Sequence, residues 1–157
     1  MPEFHADKLP ASWAAGMARE LGADVNLNDY WPYLFLLGRV LYGGFFILGG
    51  LNHFQHLGMM SGFTASKGVP GAKALVIFSG LLILVGGLSV TVGWHVRIGL
   101  ACIVLFLVPV TFLMHNYWVE TDMMPRINQR VNFQKNIALL GAALMMLAIP
   151  RPWMLGF

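Results

Sequence analysis

Charge is what this chain has least of. Asp, Glu, Lys and Arg make up 11% of its 157 residues, against roughly 25% in an ordinary soluble domain. A chain that poor in charge precipitates in water, so a soluble globule is excluded. Cysteine is nearly absent too: Cys102 stands alone within an apolar run. One cysteine forms no intramolecular disulfide and no CxxC redox relay. No HExxH and no cluster of carboxylates is present, and no basic stretch resembles a nucleic-acid footprint. The N-terminus lacks both a basic start and an apolar run of 7–15 residues, so it does not read as a signal peptide.

The little charge there is divides unevenly. Residues 1–30 hold five acids (Glu3, Asp7, Glu20, Asp24, Asp29) against Lys8 and Arg19, a net of −3; beyond them eight bases face only Glu120 and Asp122, a net of +6. A basic body of this kind suits anionic lipid headgroups.

Apolar residues, at 57%, supply the rest. They form four runs of membrane length, over about 31–51, 74–94, 98–114 and 133–150. Each must be a helix, because lipid offers the backbone no hydrogen bonds. Trp31, Pro32 and Tyr33 open the first run as an interfacial belt; Pro150 and Pro152 end the fourth, with Trp153 at the interface. The fourth run is short, yet reaches roughly 27 Å at the helical rise. Upstream, Trp13, Met17 and Leu21 recur at i, i+4, i+8 and predict a short interfacial amphipathic helix. The expected fold is therefore an all-α membrane protein: a four-transmembrane-helix bundle over 31–153, an N-terminal tail 1–30 carrying the interfacial helix, and a C-terminal tail 154–157.

Small residues supply close-packing faces: Gly43 with Gly50, Ala138 with Ala142, and Gly80, Gly86 and Gly87 in the second run. Pro109 frees a carbonyl near Leu105, within reach of Thr111. Four spans put both termini on one side, here called the near face. The far face then gathers Asn52, His53, Gln55, His56, His115, Asn116, Trp118, Asn132, Gln134, Lys135 and Asn136, a polar collar on an apolar bundle. Basic residues split four to five between the faces, so the positive-inside rule gives no orientation.

The segments GRVLYGGFFILGGLNHF, ASKGVP, SGLLILVGGLSVTVGWHVRIGL, FLMHNYW and NFQKNIALLGAALMMLA resemble the DoxX family of small four-span membrane proteins, over roughly 37–149. The resemblance implies a four-helix bundle in the bacterial inner (cytoplasmic) membrane. It also implies a loose link to redox chemistry, since relatives include a thiosulfate:quinone oxidoreductase subunit and partners of oxidative-stress enzymes. One departure stands out: family members commonly carry an acid in the second span, where this chain has Ile83.

Three groups of residues carry the candidate chemistry. Arg39 lies about seven residues into the first span, roughly 10 Å deep by helical rise. It either contacts an anion or quinone carbonyl inside the bundle, or snorkels to near-face phosphates with its stem on Phe35 and Tyr42. His53 and His56, spaced i, i+3, with His115 from a neighbouring helix end, offer three imidazoles to copper or zinc, or a His53–His115 pair to a haem. The bland reading is that they bond to backbone, lipid or loop. The sharper constellation is His115, Asn116, Lys135 and Asn136. Lys135 and Asn136 are expected to begin the fourth helix, where free N–H groups and the dipole favour an anion. A quinone headgroup, a sulfur oxyanion or a lipid phosphate suits that place, with His115 as proton donor; a hydrogen-bonded plug between helices is the structural alternative. Met59, Met60, Met145 and Met146 read as filler, and Cys102 as a small buried hydrophobe.

The expected function is a non-catalytic accessory subunit of a larger redox or energy-converting membrane complex. The alternative is a small quinone-linked oxidoreductase subunit with its headgroup site at the far face. Membrane lipids and other membrane subunits, or further copies of the chain, are the expected partners; bound quinone or lipid is the expected ligand, and no cofactor is certain.

Overall fold

The computed structural model describes residues 27–153 together with Ser12, Trp13 and Gly16. The chain divides into two compact units, Met1–Leu34 and Phe35–Phe157. Ser12, Trp13 and Gly16 are helical and Trp13 is exposed. Met17 and Leu21, the remainder of the predicted amphipathic stripe, lie outside the described residues.

Five α-helices and one 3₁₀ turn follow in the described residues: α1 (Leu27–Gln55), α2 (Leu57–Ser66), α3 (Ala72–Val92), α4 (Val96–Leu113), the turn Tyr117–Val119, and α5 (Met123–Leu147). Three apolar segments are long enough to cross a membrane: Tyr30–Gln55, Ala72–Val92 and Val96–Val119. They coincide with the first three expected runs. Hydropathy marks where a helix enters the apolar phase, whereas the helix itself continues until its backbone bonding is broken. So α1 begins at Leu27 rather than at 31, with Pro32 inside it, in the second turn, where its missing N–H leaves the Asn28 carbonyl without a helical donor.

The same reasoning corrects the fourth run. α5 starts at Met123, ten residues earlier than expected, and its first half (MMPRINQRVN) is polar; it is not among the three membrane-length apolar helices. Pro125 falls in its first turn, where a missing N–H costs nothing. The connection after α1, which holds Met59 and Met60, is the helix α2, packed against α3.

The larger unit is held together by antiparallel contact along glycine faces. A Cβ on Gly43 would lie 2.6 Å from the Gly87 carbonyl, and one on Gly50 3.0 Å from the Gly80 carbonyl. Only the missing side chains let the α1 and α3 backbones approach so closely. Gly86 does the same for α3 on α4, 2.8 Å from the Gly99 carbonyl. Phe46, Ile83, Val90, Val96, Leu100, Ile103, Leu107, Ala143 and Trp153 form the buried core. On α5 the buried small residue is Ala143; Ala138 is exposed and Ala142 half-buried. The predicted α5 face was thus rotated by about one residue. Thr111 donates to the Leu107 carbonyl one turn back, not to the carbonyl that Pro109 frees.

Candidate functional site

The ends of these helices bring polar side chains together in two places. At the near face the centre is Arg39, 1% exposed. Its Nε donates to the Val90 carbonyl at 3.1 Å and an Nη to the Thr91 carbonyl at 2.9 Å. These belong to the last turn of α3, where carbonyls lack helical partners and the dipole favours a cation. The guanidinium also lies 6.0 Å from the Phe35 ring and 5.7 Å from the Trp153 ring, which pack edge-to-face at 5.1 Å. Arg39 therefore neither snorkels to phosphate nor stands open to a ligand on these bonds: it caps α3 from within the core. Trp153, expected at the interface, is buried at 5% exposure.

At the far face the cluster is larger. Lys67, at the end of α2, pairs with Glu120 at 2.7 Å and donates to Asn116 Oδ1 at 3.1 Å. His115 Nδ1 lies 2.8 Å from Gln129 Oε1. The positive charges of Lys135 and Lys67 both act on His115. Lys135 Nζ donates to Asn132 Oδ1 at 3.0 Å and sits 5.7 Å over Phe45. Asn136 is buried. Around these groups Tyr117, Trp118 and Phe133 meet edge-to-face at 5.3–5.8 Å, with Phe112 against Phe133 at 5.5 Å.

Lys135 and Asn136 lie more than ten residues inside α5, so the free N–H groups expected beside them do not exist. The helix starts elsewhere, at an extended Asp122. The three histidines separate. His53 is buried, with Nδ1 2.8 Å from the Gly49 carbonyl and its ring edge-on to Phe106. His56 precedes α2 and is exposed, while His115 belongs with Gln129. Among the described residues no three of His, Cys, Asp and Glu stand together to hold a metal ion. Cys102 is half-buried.

Sequence reasoning missed Lys67, Glu120 and Gln129. One signal was available. Glu120 is one of only two acids beyond residue 30, and an acid so rare in a basic body is expected to find a base. Its choice of Lys67, 53 residues away, depends on how α2 folds back, which no local pattern encodes.

No curated protein and no solved structure matches the chain. The DoxX family model does match, over residues 34–116, from just before the buried Arg39 to the far-face Asn116. That match takes in more than half of the sequence and all of α2, α3 and α4; the chain belongs to the DoxX family.

Proposed function

We propose that this protein is a non-catalytic accessory subunit of a larger bacterial inner-membrane complex of the redox or energy-converting kind. It would be a four-pass protein with α5 as the fourth span and both termini on one side. The observation that carries this reading is how the far-face polar groups are used. Lys67 is taken by Glu120 and Asn116, His115 by Gln129, and Lys135 by Asn132. Groups satisfied by one another make a structural plug, and a ligand entering there would have to break those bonds. The direction toward a redox or energy-converting complex comes from the family resemblance alone.

Purification from native membranes in mild detergent, with mass spectrometry of co-eluting proteins, tests the proposal. A stoichiometric large membrane complex supports it. A chain that elutes alone and carries quinone argues for the quinone-linked alternative, in which His115, Asn116, Lys135 and Asn136 hold the headgroup. In that case His115→Ala with Lys135→Ala abolishes quinone-dependent turnover, and unchanged turnover in the stable double variant removes the alternative.

A further inference from the structure

A groove of about 570 Å³ runs along the outer surface between α3 and α4 at their near-face ends. That size lies within the roughly 300–1,000 Å³ of small-molecule sites. Val85, Leu88, Val92 and Ile98 line it, with Trp94 and His95 at one end. Ser89, the polar residue in its wall, spends its hydroxyl on the Trp94 carbonyl at 2.6 Å, so the wall offers a ligand nothing but hydrocarbon.

The end of the groove differs in character from its wall. His95 packs edge-on against Trp94 at 4.3 Å and holds a left-handed backbone, φ 46°, unusual for a residue with a Cβ. Arg97 follows it on the first turn of α4 and is exposed. Arg151 is exposed too, and Arg97 repels it. Among the described residues neither arginine has an ion-pair partner. Arg97 sits in the chain between the lining residues His95 and Ile98, so the apolar slot with its Trp94–His95 end and basic rim matches one molecule in both halves.

We propose that this groove binds an anionic glycerophospholipid, an acyl chain lying along Val85, Leu88 and Ile98 and the phosphate held at His95, Arg97 and Arg151. The site is separate from the far-face plug and does not depend on the accessory reading.

The test is native mass spectrometry of the whole chain in detergent micelles containing equal parts phosphatidylglycerol and phosphatidylcholine. The expected result is one retained phosphatidylglycerol per chain, preferred by about ten-fold. Arg97→Gln with Arg151→Gln should erase that preference. Val85→Trp fills the groove from an exposed position and should remove retention of both lipids; Leu88→Trp serves in its place if that variant misfolds. His95→Gly relieves the left-handed backbone, so its melting temperature should hold or rise while retention falls, a combination that a purely structural histidine would not give. Equal retention of the two lipids by the unaltered chain overturns the proposal. So does undiminished phosphatidylglycerol on a folded groove-filling variant, or a dimer that occupies the groove and excludes lipid.

Discussion

Arg39 is the residue on which the near end turns. A guanidinium in an apolar bundle is costly unless its donors are met, and here the last-turn carbonyls of α3 meet two of them. Each such charged hydrogen bond contributes about 1.5–3 kcal/mol. Arg39→Ala removes both, strands the Val90 and Thr91 carbonyls and takes the cation from between Phe35 and Trp153. The expected loss is about 3 kcal/mol or more, read as a fall in unfolding midpoint in detergent. Arg39→Lys keeps the charge but not the planar fork that reaches two carbonyls, and should recover only part of the loss. Equal stability of Arg39→Ala and the unaltered chain would mean that the guanidinium faces lipid.

Between elements, closeness is set by glycine. Gly43→Leu drives a side chain into the Gly87 carbonyl, and with no room to repack, the helices must separate. A loss of at least about 2 kcal/mol is expected. Gly44→Ala is the control: nothing lies within 4 Å of its Cβ, and replacing a helical glycine there should be neutral or slightly stabilising. Chemical unfolding of the two variants side by side separates packing from helix propensity. The tie between α2 and the turn before α5 is electrostatic. Glu120→Gln breaks a partly exposed pair with Lys67, which is worth about 1 kcal/mol or less in overall stability. Its visible effect should be local: faster hydrogen exchange over Leu57–Ser66, with α3 and α4 unchanged. Uniform acceleration across all helices would refute a local role.

For the whole molecule the open choice is whether α5 crosses the bilayer, and four crossings place both termini on one side. Single cysteines in a Cys102→Ala background test this. A cysteine at Arg126 should react with a membrane-impermeant thiol reagent from the side opposite a cysteine at Pro152, and one at Leu144 should be shielded. Labelling of Arg126 and Pro152 positions from the same side would leave a three-span protein with α5 lying along the surface.

Much of the architecture was legible because lipid leaves so few options. An apolar run of some twenty residues has to be a helix, and α1, α3 and α4 follow the runs closely. The glycines of α1 and α3 were also readable as contact faces, since spacing fixes which of them share a side. What hydropathy could not give was any helix, or part of one, that lies outside a run of membrane length. Residues 123–132 hold only Met123, Met124, Ile127 and Val131 as apolar side chains, no run of membrane length, so hydropathy placed the start of α5 too late and put Lys135 and Asn136 at a helix end rather than deep inside. α2 was missed for a different reason: its ten residues, LGMMSGFTAS, are apolar but too few to span, and between two spans they read equally well as a loop.

Composition and a fixed period along the chain were enough to set the apolar solvent, the helical class and the glycine faces of α1 and α3. The partners came from packing alone: Arg39 on the end of α3, Lys67 on Glu120, His115 on Gln129, and Trp153 in the core. Such pairs join residues far apart in sequence. Their choice depends on the register at which whole helices pack, a property of two surfaces together that neither segment carries alone.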